Sequence, residues 1–372
     1  MSTPADSVNL AALARTARDL PEARTPPGWV YSDQALFERE LKVLFSEGWL
    51  ALGHAGCYRD TDVFPILVGA ESLLVVAQQT GPPAVFFNVC RHRGTRLVAA
   101  PQQRCRLIVC PYHGWSYTPA GELKAAPGMQ AVSSFSAADY GLKAVPTTRW
   151  NGLLFTNPGA NRNAAPEFPD LAADLSGLDA VAHHEYLVAA NWKLLCENYN
   201  ECYHCPGAHP GLHELTAVDS GEARSRSGSY TGGPMRLREG VASMSERPAE
   251  RASLLPGVVD PERVDYYHLF PNLFLSVLPD YALLHVLWPL SPDQTRVETW
   301  WLFNPSDAAQ PGFSADPAVE FWDRTNQEDW ALCENAMAGL RSRGHEPGPY
   351  HPDEACVHDF DRWYVEQMFG GI

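Results

Sequence analysis

The chain has 372 residues, 45% of them hydrophobic, which is typical of a folded protein too long for one ordinary core. The formal net charge of −16 disfavours nucleic acid and anionic lipid as partners, because both are negatively charged. No stretch approaches the ~20 apolar residues of a membrane span, and residues 1–30 lack the basic start and apolar run of a signal peptide. We therefore expect a two-domain cytoplasmic protein that binds neither nucleic acid nor membrane. Its nine cysteines call for a metal or redox explanation before a disulfide one.

The first predicted element is a helix that follows a loosely held arm rich in Ala and Pro. Ser32 is a suitable N-cap, and apolar residues recur at helical spacing over Leu36–Phe45. From Trp49 onward, short β-rich pieces alternate with Gly- and Pro-containing turns, which predicts a small β-sandwich or barrel. We assign 47–157 to this all-β domain and expect the arm and helix, 1–46, to pack with the other domain. The β-rich pieces are 49–53, 63–68, 73–78, 84–88, 106–110 and 153–157.

The second domain, predicted at 158–372, has a different pattern. Residues 158–178 are typical of a linker or short-helix crossover, 191–204 of a helix, and 216–253 of a long loop. Strands followed by a long C-terminal helix indicate the α+β class. The predicted strands are 264–276, 282–289 and 296–303, and the predicted helix is 317–340.

Two short segments of the first domain each combine one cysteine with one histidine. Cys90 and His92 lie in N-V-C-R-H-R-G, and Cys110 and His113 lie in C-P-Y-H-G-W. Each segment is followed closely by glycine, which allows a tight turn around a bulky group. Zinc fingers and ribbons usually take their cysteines in C-x₂₋₄-C pairs. One Cys and one His from each loop suit a [2Fe–2S] cluster, with two thiolates on one iron and two imidazoles on the other. A structural zinc site is the alternative.

A second cluster follows in the second domain. Glu201 and His204 lie three residues apart, on one face if this segment is helical. Pro206 and Gly207 would end that helix, so that His209 folds back toward the same point. Two histidines and one carboxylate on one face of Fe(II) leave positions open for O₂ and substrate, as in non-haem iron oxygenases.

Together these patterns resemble the α (terminal oxygenase) subunits of the Rieske non-haem iron oxygenases. The segment E-N-Y-N-E-C-Y-H-C-P-G-A-H is similar to the E-N-x-x-E-x-Y-H-x-x-x-x-H segment of their catalytic domains, which have a helix-grip fold. The resemblance implies that His204 and His209 bind iron and that Asp329, in N-Q-E-D-W, supplies the carboxylate. Glu328 is the alternative carboxylate. The resemblance also implies that Glu201 bridges the two metal centres across a subunit interface, between a Rieske histidine and an iron histidine.

The same resemblance implies the reaction partners. Electrons from NAD(P)H pass through a separate flavin/iron–sulfur reductase, with or without a ferredoxin, to the [2Fe–2S] cluster and then to Fe(II), where O₂ and a small substrate meet. No G-x-G-x-x-G run follows a predicted strand, so we expect no dinucleotide site in the chain itself. Members of the family assemble as head-to-tail homotrimers.

Substrate class is indicated by the string E-C-Y-H-C-P-x-A-H-P, which looks like the carnitine, choline and glycine betaine monooxygenases and stachydrine demethylase. We therefore expect hydroxylation or N-demethylation of a quaternary ammonium compound, which would need an aromatic cage. The alternatives are an aromatic-ring hydroxylating (di)oxygenase and, in another class, an electron-transfer Rieske protein without oxygenase activity. Cys196, Cys202 and Cys205 are predicted to pack beside the iron ligands rather than to bind metal. Candidate cage residues are Tyr266, Tyr267, Phe270, Phe274 and Tyr281.

Overall fold

The structure, a computed structural model, describes residues 10–58, 63–69, 71–78, 81–103, 105–159, 164–217, 220–221 and 225–370. The chain divides into two compact units, which are Phe45–Ala165 and Met1–Leu44 together with Pro166–Ile372. The α+β class predicted from the sequence is confirmed, because one unit is built from short strands and the other combines a large antiparallel sheet with helices.

The smaller unit contains three antiparallel sheets of three strands each, in the orders β1-β9-β8, β2-β3-β4 and β5-β6-β7. Its core is formed by buried side chains such as Ile108, Trp115 and Tyr117. All six predicted pieces contain a strand, whereas β6, β7 and β8 were not predicted. The strands are β1 (Leu50–His54), β2 (Val63–Val68), β3 (Glu71–Val76), β4 (Ala84–Phe87), β5 (Ile108–Val109), β6 (Ser116–Tyr117), β7 (Leu123–Ala125), β8 (Thr147–Trp150) and β9 (Leu153–Thr156).

The N-terminal helical region starts one turn earlier than predicted and is interrupted. Helix α1 (Trp29–Ser32) is followed by α2 (Gln34–Glu40) and by a π-helical turn, Leu41–Ser46. The N-cap of α2 is Asp33 and not Ser32, because the Asp33 carboxylate accepts a hydrogen bond from the Leu36 N–H at 2.7 Å.

The larger unit is organised around an eight-stranded antiparallel sheet. The strand order is β10-β17-β16-β15-β14-β13-β11, with β12 paired to β13. The strands are β10 (Asp179–Val188), β11 (Thr216–Ala217), β12 (Ser225–Arg226), β13 (Tyr230–Leu237), β14 (Arg263–Leu269), β15 (Leu273–Val277), β16 (Ala282–Ser291) and β17 (Gln294–Phe303). The helices are α3 (Trp192–Tyr199), α4 (Cys205–Ala208), α5 (Pro210–Leu215), α6 (Pro305–Ala308), α7 (Asp316–Leu340) and α8 (Ala355–Phe369).

Several expectations for this unit were wrong. The segment 216–253, predicted as a loop, contains β11, β12 and β13, and the single strand expected at 264–276 is two strands joined by a turn. Strand β13 carries G-G-P, which disfavours a strand. Strand β13 nevertheless forms, because it pairs with β14 on one side and with β11 and β12 on the other. Gly232 is required in it because a Cβ would lie 2.1 Å from the Tyr266 carbonyl oxygen. Strand β10 and helix α8 were not predicted.

Helix α7 packs on one face of the sheet, and this packing positions the site described below. Phe321 and Trp322 of α7 lie in one buried cluster with Leu283 and Trp301 of the sheet. Fully burying a side chain of this size stabilises the fold by about 1.5–3 kcal/mol. In the described part of the chain, we find no helix with the length and apolar character needed to cross a bilayer.

Candidate metal centres

The two Cys/His loops of the smaller unit have similar backbone geometry. In each, the glycine four residues after the cysteine donates its N–H to the cysteine carbonyl, from Gly94 to Cys90 at 3.0 Å and from Gly114 to Cys110 at 3.1 Å. Both glycines have left-handed φ angles, +72° and +69°, which favour glycine at these positions. The sequence thus forms two matching turns, each of which presents one thiol.

The thiols and the imidazoles lie in different environments. Cys90 and Cys110 are each 3% exposed, whereas His92 and His113 are exposed. The two imidazole rings lie 4.8 Å apart between centroids, and the His92 ring stacks on Trp115. A cluster with its thiolate-bound iron inside the domain and its imidazole-bound iron at the surface fits this arrangement.

Tyr117 is a residue at this site that the sequence analysis did not single out. Its hydroxyl lies 3.3 Å from the Cys90 Sγ and accepts the Arg91 N–H at 3.0 Å. Burial, followed by the hydrogen bond with Cys90, raises the pKa of Tyr117, so the hydroxyl stays protonated and can donate to sulfur. Its position seven residues after Cys110 carries no sequence signal of such a role.

In the larger unit, His204, His209 and Asp329 come together. The two Nε2 atoms lie 3.1 Å apart, and the Asp329 Oδ1 lies 3.3 Å from the Nε2 of His204 and 2.9 Å from that of His209. One ligand atom from each residue can be chosen so that all lie within 4.8 Å of one another. Two imidazole nitrogens and one carboxylate oxygen are the donor set of a non-haem Fe(II) site.

At each imidazole, a further carboxylate hydrogen-bonds to the ring nitrogen that faces away from Asp329. Glu201 accepts a hydrogen bond from the Nδ1 of His204, and Glu328 accepts one from the Nδ1 of His209 at 2.7 Å. Protons held on both Nδ1 atoms leave the Nε2 lone pairs free for a metal. Glu328, considered above as the alternative ligand, therefore lies on the far side of His209 from Asp329. The only sequence signal for Glu328 was its place beside Asp329 in N-Q-E-D-W.

The charges at this site attract one another. Burial lowers the pKa of His204. Hydrogen bonds with Asp329 and Glu201 raise it by a larger amount, so the net pKa is about 9. Burial likewise lowers the pKa of His209, yet Asp329 and Glu328 give it a net increase. Burial raises the pKa of Asp329, and the two histidines lower it below its ordinary value. The carboxylates thus favour positive charge here, which a divalent cation supplies when it replaces protons.

The backbone of this segment differs from the prediction. Helix α3 ends at Tyr199, so Glu201 and His204 are not on one helical face. They contact each other across a turn in which the His204 N–H donates to Glu201 at 3.1 Å. Pro206 occupies the first turn of α4, and His209 follows immediately after that helix. A short helix, rather than a broken long one, brings His209 back to His204.

Cys202 and Cys205 form a disulfide on either side of His204. This corrects the prediction that both are packing residues and that a disulfide is the less favoured explanation. The turn from α3 to α4 brings their Cα atoms to 4.9 Å, within the range that a disulfide spans. Cys196 is fully buried, as predicted.

The candidate cage residues are distributed over different parts of the unit. Phe274 stacks on Tyr199 with 4.2 Å between ring centroids. The ring centroid of Tyr266 lies 6.5 Å from that of Tyr199. The Tyr267 side chain points to the opposite face of β14 from that of Tyr266, because successive side chains of a strand alternate between faces. Phe270 is outside this group, since it packs on Trp363, whereas Tyr281 lies near Tyr266, because both hydroxyls hydrogen-bond to Met244.

Comparisons with known proteins agree with this architecture. Residues 48–136 match the Rieske [2Fe-2S] domain, and residues 175–370 match the ring hydroxylating alpha subunit (catalytic domain). The chain is 31% identical to the glycine betaine monooxygenase oxygenase subunit of Chromohalobacter salexigens, covering 92% of this chain and 85% of that protein. It is 27% identical to the carnitine monooxygenase oxygenase subunit of Escherichia coli, covering 87% and 86%. The fold matches a quaternary ammonium Rieske monooxygenase solved with L-carnitine, with a TM-score of 0.76, 21% identity and 99% of both chains covered.

These matches define a Rieske-type terminal oxygenase, an oxidoreductase that acts with molecular oxygen. The chain belongs to the family of Rieske oxygenase α subunits, whose catalytic-domain model spans more than half of its length. Proteins of this family carry a [2Fe–2S] cluster and a mononuclear iron, and they take electrons from a separate reductase. This confirms the interpretation from sequence and does not support an electron-transfer protein without oxygenase activity, because the catalytic domain is present.

Proposed function

We propose that this protein is the oxygenase component of a monooxygenase that hydroxylates or N-demethylates a small quaternary ammonium compound. The observation that carries the proposal is similarity over nearly the whole chain to glycine betaine and carnitine monooxygenase subunits, whose named substrates share a quaternary nitrogen.

Aromatic side chains near the proposed iron site support this substrate class. Tyr199 and Phe274 stack in parallel, with Tyr266 beside them, on the sheet face that also carries His285. The Nε2 of His285 hydrogen-bonds to Asn326, one helical turn before Asp329 on α7, which places this aromatic group beside the proposed ligands. The faces of aromatic rings attract quaternary ammonium groups.

We assign the metal centres to the residues that the sequence singled out. Cys90 and Cys110 would hold one iron of the cluster, and His92 and His113 the other. His204, His209 and Asp329 would hold the mononuclear iron, which when bound supplies the redox chemistry that activates O₂. Within the protein, Glu201 and Glu328 hold the Nδ1 protons, so that both Nε2 lone pairs would be available to a metal.

The proposal includes a homotrimer with head-to-tail contacts, a flavin/iron–sulfur reductase, with or without a ferredoxin, and a bridging role for Glu201.

Glu201 is only 12% exposed and already binds His204 through both carboxylate oxygens. Each of these oxygens retains acceptor capacity for an imidazole N–H of a neighbouring subunit.

The substrate is tested with purified enzyme and a surrogate reductase. We expect O₂ uptake coupled to product formation, or to formaldehyde release, with glycine betaine, carnitine or choline, and none with aromatic acids. Asp329→Asn is the control for metal-dependent turnover. Turnover of aromatic acids without turnover of any betaine would establish the aromatic-ring hydroxylase instead.

The bridging role of Glu201 is tested by Glu201→Gln. We expect both metals to stay bound while substrate-driven oxidation of the reduced cluster slows about a hundredfold, because the amide holds no second proton-accepting oxygen between the two imidazoles. Stopped-flow spectroscopy of the cluster measures this rate, and Glu320→Gln on the exposed part of α7 is the matched control. Normal cluster oxidation in Glu201→Gln would refute the role.

A further inference from the structure

Two buried histidines lie in one row across the large sheet. His268 of β14 and His285 of β16 are the direct neighbours of Phe274 on β15, one on each side. Directly opposed residues of antiparallel strands point to the same face of a sheet. The ring centroid of Phe274 accordingly lies 5.0 Å from that of His268 and 6.2 Å from that of His285. His268 is 0% exposed and His285 is 3% exposed, and neither is a proposed metal ligand.

His268 is bound to the turn that carries His204. Its Nε2 lies 3.3 Å from the Pro271 carbonyl oxygen, which can only accept, so Nε2 carries the proton. Burial lowers the pKa of His268 to about 3, so the ring is neutral and its Nδ1 is an acceptor. The side-chain amide of Asn200 donates to this Nδ1 at 3.0 Å. Asn200 follows the end of α3 and precedes Glu201, which accepts hydrogen bonds from both the Nδ1 and the backbone N–H of His204.

His285 is bound to the helix that carries Asp329. Its Nε2 lies 3.1 Å from the Oδ1 of Asn326, which precedes Asp329 by one turn of α7. The Tyr186 hydroxyl donates to the Asp323 carboxylate at 2.6 Å, so its oxygen accepts from the Asn326 Nδ2 at 3.4 Å. The Oδ1 of Asn326 therefore accepts the Nε2 proton of His285.

These hydrogen bonds attach both parts of the proposed iron site to the same row of the sheet. His204 lies in the turn after α3, whereas Asp329 lies on α7, far away in the chain. Ligands from separate elements need a common support, because a functional site tolerates displacements of only about 0.5 Å. A buried donor or acceptor left unpaired costs about 1–3 kcal/mol, which opposes any shift of Asn200 or Asn326 away from its histidine.

We propose that His268 and His285 are positioning residues that fix the two parts of the iron site relative to each other. His268 acts through Asn200 on the turn that follows α3. His285 acts through Asn326 on α7. This role rests on the proposed iron ligands, and the iron content of the wild-type protein tests those ligands separately.

The role is tested by the release of the mononuclear iron from purified, iron-loaded protein to a chelator, which needs no substrate. We expect His268→Leu and His285→Leu each to release this iron about tenfold faster than wild type, because hydrogen-bond partners behind metal ligands contribute about 10–100-fold to metal affinity. His268→Asn and His285→Gln should restore most of the wild-type rate, since each amide replaces the missing acceptor or donor. The EPR spectrum of the Fe(II)–nitric oxide complex should change in the Leu variants and match wild type in the amide variants.

His358→Leu is the matched control. His358 is also a buried histidine, 3% exposed, but its Nε2 donates to the Arg18 carbonyl oxygen at 2.8 Å and not to an element that carries a proposed ligand. We expect this variant to leave iron release and the EPR spectrum unchanged. If a Leu variant at one of the two positions does not fold, Asn200→Ala or Asn326→Ala removes the same bond from the helix side, with the same expected result.

Two results would overturn the positioning role. One is iron release at the wild-type rate, with an unchanged EPR spectrum, in the folded variants at both positions. The other is an equally fast release in His358→Leu, because the effect would then reflect stability alone. A wild-type protein that holds only the two cluster irons would refute the proposed ligands, and the positioning role with them.

Discussion

At His209 the two ring nitrogens face two different carboxylates, and this decides which of two neighbouring acidic residues is the proposed ligand. Asp329 lies 2.9 Å from Nε2, on the side of His204, and Glu328 lies 2.7 Å from Nδ1. A carboxylate that accepts the Nδ1 proton orients the ring, whereas a carboxylate on the Nε2 side can bind the same metal ion as Nε2.

This difference predicts different iron contents for two conservative substitutions. Asp329→Asn should lower the iron content from about three to about two atoms per chain, because the site loses its anionic ligand. Glu328→Gln should keep about three, since the amide oxygen still accepts the Nδ1 proton. Metal analysis of the purified variants measures the content, and the spectrum of the reduced cluster serves as a control. Loss of iron in Glu328→Gln alone would reverse the two assignments.

At the scale of elements, three helices meet at a buried ion pair. Glu40 of α2 is fully buried and accepts hydrogen bonds from Lys193 and Trp192 of α3 and from Tyr364 of α8. The Lys193 ammonium also lies 5.2 Å from the ring centroids of both Trp192 and Tyr364. This cluster attaches the N-terminal helices to the elements that carry the proposed iron site.

Lys193→Met should therefore lower the free energy of unfolding by about 3–5 kcal/mol, because it leaves a buried carboxylate without its counterion. The double variant Lys193→Met/Glu40→Gln should recover most of this loss, since the charge is removed with its partner. Denaturant unfolding measures both. Equal stability of wild type and Lys193→Met would show that Glu40 is not ionised in the folded protein.

Asp280 joins the segment before β14 to the turn between β15 and β16. It accepts hydrogen bonds from the Ser243 hydroxyl and the Ala252 N–H, each at 3.2 Å. Burial raises the pKa of Asp280 from 3.8 to about 6. An acid with a raised pKa in the folded state binds more protons there than in the unfolded state, so its contribution to stability falls as pH rises from about 4 to 6 and stays low above that.

Asp280→Asn should remove this dependence. We expect the stability of the variant, relative to wild type, to be greater at pH 8 than at pH 5 by roughly 1–1.5 kcal/mol. Thermal unfolding at both pH values measures it, and Asp316→Asn at the exposed start of α7 is the control. A relative stability independent of pH would mean that Asp280 is ionised throughout this range.

At the scale of the whole molecule, the proposed homotrimer predicts that electrons pass between subunits. Cys110→Ser should remove the cluster and Asp329→Asn should remove the mononuclear iron, so each variant alone should be inactive. Coexpressed at equal levels, they should form mixed rings in which about a quarter of the junctions join an intact cluster to an intact iron. We expect about a quarter of wild-type activity, measured as O₂ uptake with substrate. No activity in the mixed sample would place electron transfer within one subunit.

Much of the identification could be made from sequence because the proposed ligands occur in local groups. Cys90 and His92, Cys110 and His113, and His204 and His209 are each separated by a few residues, so the spacing itself encodes the geometry of the site. The alternating strands of the smaller unit and the long periodic helix α7 were predicted for the same reason, since their pattern is local.

Other features depend on parts of the chain that meet only after folding. Adjacent residues on a helix point about 100° apart, so only the packing of α7 decides that Asp329, and not Glu328, faces both Nε2 atoms. The disulfide beside His204 depends on a turn that local pattern assigned to a helix. Glu40 and Lys193 come from helices far apart in the chain, and no local pattern shows that they will form a buried ion pair. The sequence by itself determined which metals the protein is built to hold, whereas the tertiary structure decided which acidic groups surround them, because that depends on contacts between distant segments.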